Sequence, residues 1–288
     1  MTSGIRTIAV LGAGTMGRGI AHVAALGGYS TRLFDVSTAA LSAAEKSIHA
    51  NLDKGVAKGK VDADRAAAAK ENLAWTSDFD SAVRDAGLVI EAVPESMELK
   101  VEAFQRAAEL APAEALFASN TSGLSITEMA AASGRPRRFA GMHFFNPVHL
   151  MRLIELVRGL ETSDETLASL RRVAERMGKE VVVVNESPGF VTSRINALIG
   201  NEAFRMLETG VASAQDIDTA LKLGLNHPMG PFEMVDLVGL DVRLSILEHL
   251  HRTLGDTYRP ANLLRQYVRA GRLGRKTGRG VYDYPDAT

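Results

Sequence analysis

The chain has 288 residues, 46% hydrophobic and 23% charged, with a formal net charge of −1. That length suggests roughly two domains, and the balance is that of an ordinary globular protein able to build its cores without staples. The absence of cysteine excludes a disulfide framework, a thiolate nucleophile and a cysteine-ligated metal centre, and no metal site is expected; near-neutral charge offers no global field for nucleic acid or an anionic membrane. The chain enters an apolar strand almost at once, with no leader-like segment and no run of membrane-spanning length, so the expected location is cytoplasmic.

In chain order, strand-like runs occur at Thr7 to Leu11, Thr31 to Phe34, Leu88 to Val93, Leu116 to Ser119, Phe139 to His143, Leu153 to Val157 and Glu180 to Val184. Helically spaced stretches such as Met97 to Leu110 and Glu165 to Met177 lie between them. This alternation predicts an α/β domain, a mostly parallel sheet with helices on both faces. Residues 37–72 interrupt it with a long Ala- and Lys-rich stretch, broken at Gly55 and Gly59 and carrying Leu41, Ile48 and Leu52 at helical spacing. It reads as a helical pair projecting from the sheet. From Ser187-Pro-Gly189 onward, an N-cap residue followed by proline opens an all-helical pattern. The expected domains are therefore 1–185 and 186–288, the second ending in a basic, glycine-rich loop.

Gly12-Ala13-Gly14-Thr15-Met16-Gly17 follows a strand and opens a helix. In that setting Gly12 permits a tight turn, Gly14 lets a pyrophosphate approach the backbone, and Gly17 lets helix and strand pack closely. The helix N-terminus offers free N–H groups to phosphates. Asp35 ends the next strand, where its carboxylate accepts ribose hydroxyls and repels a 2′-phosphate, which favours NAD over NADP. The first domain is thus expected to be a Rossmann-type, doubly wound NAD-binding domain.

Ser119-Asn-Thr-Ser122, Gly141-Met-His-Phe-Phe-Asn-Pro147 and Leu153-Ile-Glu155, together with Ser187-Pro-Gly-Phe190, His227-Pro-Met-Gly-Pro-Phe232 and Lys276-Thr-Gly278, carry a specific resemblance. The chain resembles the L-3-hydroxyacyl-CoA dehydrogenase family from the glycine loop to the end, and is most similar to its stand-alone bacterial 3-hydroxybutyryl-CoA members. Dehydrogenases of non-CoA hydroxy acids share the fold and glycine loop but usually differ at His-Phe-Phe-Asn-Pro. The resemblance implies reversible NAD-dependent oxidation of a short (S)-3-hydroxyacyl-CoA, with His143 and Glu155 as the catalytic pair. The chemistry agrees: alcohol oxidation needs a base for the hydroxyl proton, and a carboxylate on the following strand can fix the imidazole tautomer.

The resemblance further makes Ser122 a donor to the substrate oxygen, near the nicotinamide. It assigns NAD contacts to Glu95, Lys100, Asn146 and Lys276, with Lys100 also near CoA. Taken alone, Glu95, Lys100 and Lys276 read as solvated charges, and Asn146 as a turn residue. Asn51, Lys54 and Lys58 fall on one helix face, a stripe suited to the phosphates of CoA; family members bind CoA at the Asn51 and Lys58 positions. Ser193 departs from the family, which commonly has asparagine there. The C-terminal helices resemble the family's dimerisation domain, and Leu237, Val238, Leu240, Leu244 and Leu247 supply apolar surface beyond one core face. A hydrolase built on Ser122, His143 and Glu155 would need a strained nucleophile elbow, which Asn120-Thr-Ser122-Gly is not; a non-catalytic NAD sensor would leave the His–Glu pair idle.

Overall fold

The computed structural model describes residues 4–284, and the chain divides into two compact units, Met1–Glu186 and Ser187–Thr288. In the first unit, β1 (Thr7–Leu11), β2 (Ser30–Phe34), β3 (Leu73–Thr76), β4 (Leu88–Glu91), β5 (Leu116–Ser119), β6 (Phe139–Phe144), β7 (Leu153–Arg158) and β8 (Glu180–Asn185) form one sheet. Its order is β3-β2-β1-β4-β5-β6-β7-β8. Pairing is parallel from β3 across to β6, antiparallel between β6 and β7, and parallel again between β7 and β8. Every residue of β4, β5 and β6 is buried, as expected for strands covered on both faces, which read as continuous apolar runs.

The helices of this unit are α1 (Thr15–Leu26), α2 (Thr38–Ala57), α3 (Ala63–Glu71), α4 (Phe79–Val83), α5 (Met97–Leu110), α6 (Ile126–Ala132) and α7 (Asp164–Arg176). The helical pair is α2 and α3, capped by the Ser37 and Asp62 side chains. Gly55 lies inside α2 and does not break it; the reversal comes at Gly59, whose φ of +64° suits glycine. The return leg crosses α2 at Gly55, where a Cβ would fall 2.8 Å from Val61 Cγ2. The pair does more than project. Leu41, Ala44, Ile48 and Leu52 recur on one face of α2 and are buried, with Ala66 and Ala69 of α3, in the same core as β1, β2 and α1.

Strand β3 and helix α4 were not expected from the sequence. β3 is a four-residue edge strand with no fully buried residue, so it lacks the apolar run that marked the others. β4 stops at Glu91, short of Val93, because the Val93 N–H turns to the Glu91 carboxylate at 2.7 Å.

The second unit contains α8 (Thr192–Glu208), α9 (Ala214–Gly224), α10 (Pro231–Val238), α11 (Leu240–Leu254) and α12 (Asn262–Arg269) around its own core, which includes Phe204, Ile217, Phe232, Leu247 and Leu264. Two buried aspartates organise it. Asp218 accepts the Phe232 and Glu233 N–H groups at the start of α10, together with the Tyr282 hydroxyl. Asp236 accepts the N–H groups of Val281 and Tyr282 and the Tyr284 hydroxyl, fastening the C-terminal loop to α10. Of the apolar residues expected at a surface, Leu240 and Leu247 are core, Leu244 packs against them, and Leu237 and Val238 are exposed. Among the described residues no helix is long and apolar enough to cross a membrane.

Because Leu52 is fully buried on the inner face of α2, Leu52→Ala should cost about 2–5 kcal/mol of stability. A lowered urea midpoint checks this; an unchanged one would make the helical pair an appendage.

Candidate active site

Phe34 pairs with Leu11, Leu11 with Glu91, Glu91 with Ser119, and Ser119 with Gly141. The loops after β2, β1, β4 and β5, and the end of β6, therefore share the carboxyl edge of the parallel strands. The crevice between β1 and β4, where strand order reverses, lies among them and is where such sheets bind ligands.

The three glycines of the first loop have different physical reasons. Gly12 has φ of +103°, and a Cβ there would lie 2.7 Å from the Ala92 carbonyl oxygen. A Cβ on Gly17 would fall 1.7 Å from the Gly12 carbonyl oxygen. These two are needed by the fold. At Gly14 a Cβ would meet nothing within 4 Å, so protein packing does not demand glycine there. The open space at the N-cap of α1 is a cradle that a side chain would fill, and it fits a diphosphate against the first-turn N–H groups. Thr15 is exposed at the helix start, and Met16 packs against the core. Asp35 is half-buried and accepts the Ala13 N–H at 2.7 Å and the Ser37 N–H at 2.9 Å, so the acid expected to face the ribose is held against the glycine loop.

A buried polar network supports the next two loops. Glu91 and Lys100 are 0% and 1% exposed and bonded at 2.7 Å. Lys100 also reaches Glu95 at 3.1 Å, and Glu91 accepts the Ser119 hydroxyl at 2.6 Å. Glu95 in turn accepts the Thr121 hydroxyl at 2.6 Å, the Ser122 N–H at 3.0 Å and the Ser122 hydroxyl at 3.4 Å. Burial pushes the Glu95 carboxyl up, but the Lys100 ammonium and these donors outweigh it and hold the group below its ordinary value. Burial also raises Glu91, beyond what Lys100 and Ser119 offset. Lys100 is thus not a solvated charge at a helix start, and Glu95, though exposed, is tied down by hydrogen bonds. Lys100 lies buried beneath the loop, bonded to Glu91 and Glu95.

His143 and Glu155 are directly opposed in the β6–β7 antiparallel register, with Nδ1 2.8 Å from Glu155 Oε2. Opposed residues of such a pair project from the same sheet face. The imidazole is 7% exposed and the carboxylate 0%. Asn120, which sequence reasoning passed over, accepts the Phe144 N–H at 3.0 Å and ties the Ser122 loop to the end of β6. Glu91 was also missed; its only signal was an acid closing the apolar run Leu88-Val-Ile. Asn146 is exposed in the turn after β6 and lines, with Asn51 and Thr15, a cavity of about 250 Å³. Lys54 and Lys58 are exposed at the end of α2. In the second unit, Lys276 bonds both Asp241 oxygens, at 2.6 and 2.7 Å, and Ser193 is half-buried in the first turn of α8. No cluster of three or more metal-ligating side chains occurs among the described residues.

This sheet order, glycine loop and buried His–Glu pair define a dinucleotide-dependent dehydrogenase, and the chain belongs to the 3-hydroxyacyl-CoA dehydrogenase family. The family's NAD-binding-domain model matches residues 7–187 and its C-terminal-domain model residues 189–284. A probable 3-hydroxybutyryl-CoA dehydrogenase of Bacillus subtilis is 46% identical over 285 residues, 99% of each chain. The 3-hydroxybutyryl-CoA dehydrogenase of Bradyrhizobium diazoefficiens is 44% identical over 100% of this chain and 98% of its own length. The crystal structure of (S)-3-hydroxybutyryl-CoA dehydrogenase from Ralstonia eutropha superposes with a TM-score of 0.94 at 43% identity, covering 98% of this chain and 100% of that one.

The glycine geometry separates folding from binding. Gly14→Ala should keep the wild-type melting temperature but bind NADH at least about tenfold more weakly, the extra methyl occupying the cradle. Gly17→Ala should lower the melting temperature itself. Fluorescence titration of NADH with parallel thermal melts tests both, and wild-type NADH affinity in Gly14→Ala would remove the cradle from this position.

Proposed function

We propose that this chain catalyses reversible NAD-dependent oxidation of short (S)-3-hydroxyacyl-CoA, 3-hydroxybutyryl-CoA in particular, to the 3-oxoacyl-CoA. The observation that carries the reading is the buried His143–Glu155 pair at the carboxyl edge of the sheet, one strand from the Ser122 loop. Bound NAD supplies the hydride acceptor. Glu155 holds Nδ1, so exchange of the substrate proton falls to Nε2 of His143. Oxidation makes that ring an imidazolium, which the buried carboxylate stabilises strongly because little water screens it. In reduction the same ring is the acid. Ser122, its backbone fixed by Glu95, donates its hydroxyl to the substrate oxygen.

Asp35, Glu95 and Asn146 hold the dinucleotide in this reading, with Lys100 acting from beneath and Lys276 from the C-terminal unit. Asn51, Lys54 and Lys58 face the CoA moiety, where charge-assisted bonds to phosphate form. The C-terminal helical unit, residues 186–288 in the sequence division, pairs two copies through exposed apolar residues that include Leu237 and Val238. A cytoplasmic location accords with the cysteine-free composition.

The wild-type chain should consume NADH with acetoacetyl-CoA, followed by absorbance, and use NADPH poorly. His143→Ala should depress kcat by about 10² or more while NADH still binds. Glu155→Gln should lower kcat and move its pH profile. Wild-type turnover in both variants would overturn the assignment of the pair.

A further inference from the structure

The cavity lined by Asn51 and Asn146 lies between α1, α2 and the turn after β6, and Arg18, His22 and His149 also reach its wall. No aspartate or glutamate lines it. Arg18 is half-buried in the first turn of α1, and its guanidinium makes no hydrogen bond or ion pair with any described residue. His22 is 4% exposed and its Nδ1 has no partner. Its ring stacks on His149, with centroids 5.4 Å apart and planes 7° from parallel.

The surrounding charges are positive. Burial, His149 and Lys179 lower His22 to about 4, and burial, Lys179 and Lys54 lower His149. The His22 ring is therefore neutral at pH 7, and the His149 ring is pushed toward its neutral form. The Lys179 ammonium is engaged by the carbonyl oxygens of Val148 and Met151, which pins the turn that forms one wall. Arg18 is left as an unpaired cation on a wall that already lacks acids, and a guanidinium fork is suited to phosphate.

We propose that Arg18 is a specificity-determining residue whose guanidinium, in the cavity between α1 and α2, binds a phosphate of the acyl-CoA substrate beside Asn51. The inference rests on the acyl-CoA reading above. The dinucleotide diphosphate already has the N–H groups next to Gly14; Arg18, whose N–H closes the first turn on the Gly14 carbonyl, instead lines the cavity shared with Asn51 of α2.

Calorimetric titration of the full chain with CoA, pantetheine and NADH tests this. Arg18→Ala should weaken CoA binding by about tenfold or more, leave pantetheine and NADH affinities as in wild type, and flatten the salt dependence for CoA. Arg18→Lys should restore part of the loss, and Asn51→Asp, which places a carboxylate in the cavity, should weaken CoA with Arg18 intact. Unchanged CoA affinity in Arg18→Ala, an equal loss for pantetheine, or a loss confined to NADH would each overturn the proposal, the last by giving the cavity to the dinucleotide. Wild-type turnover of acetoacetyl-CoA separates the two readings: its absence removes the proposed function, whereas its presence with an indifferent Arg18→Ala removes only this inference.

Discussion

The register that aligns Phe34, Leu11, Glu91, Ser119 and Gly141 across five strands brings every candidate group of the first unit's edge into one neighbourhood. A one-residue slip in any of these strands would turn its side chains to the opposite face. The reversal at β7 then adds what parallel pairing alone could not: a carboxylate directly across from His143 within a short excursion of chain. The proposed acid–base pair is thus a product of backbone hydrogen bonding, and its geometry is as stiff as the sheet.

Beneath that edge, Glu91 and Lys100 place charge where water is excluded, with Glu95 at its exposed rim. Burying such groups is unfavourable unless each is paired and hydrogen-bonded. Here Ser119, Thr121, Ser122 and the Val93 N–H complete the set. The consequence is positional: one ammonium, through Glu95, couples the end of β4 to the loop after β5, so the two loops share one anchor.

Much of the sheet was legible because β1 and β4 to β8 advertise themselves as apolar runs and β2 as a β-rich stretch ending in Leu33-Phe34. β3 did not, since it is only four residues long, Leu73-Ala-Trp-Thr76, and follows an alanine-rich helix. The glycine loop and the juxtaposition of His143 with Glu155 could be read because the turn restricts residue type and a short excursion of chain brings the two strands side by side. Burial was less legible. Lys100 looks like any lysine on a helix start until the strand acid beneath it is known, and Leu240 and Leu247 look like surface until α8 is packed beside them. Arg18 gave no signal at all: its meaning depends on which helix faces it.

Asp35 is bonded to the Ala13 N–H through one oxygen and to the Ser37 N–H through the other. The carboxylate proposed to discriminate between the two nicotinamide dinucleotides is also a structural brace of the glycine turn. Replacing it with a small neutral residue to admit a 2′-phosphate would orphan a backbone donor inside the loop. Conversion of such an enzyme to the phosphorylated coenzyme therefore requires at least two coordinated changes, one to accept the new charge and one to re-brace the turn, and a lineage that altered Asp35 first would pass through an intermediate poor with both.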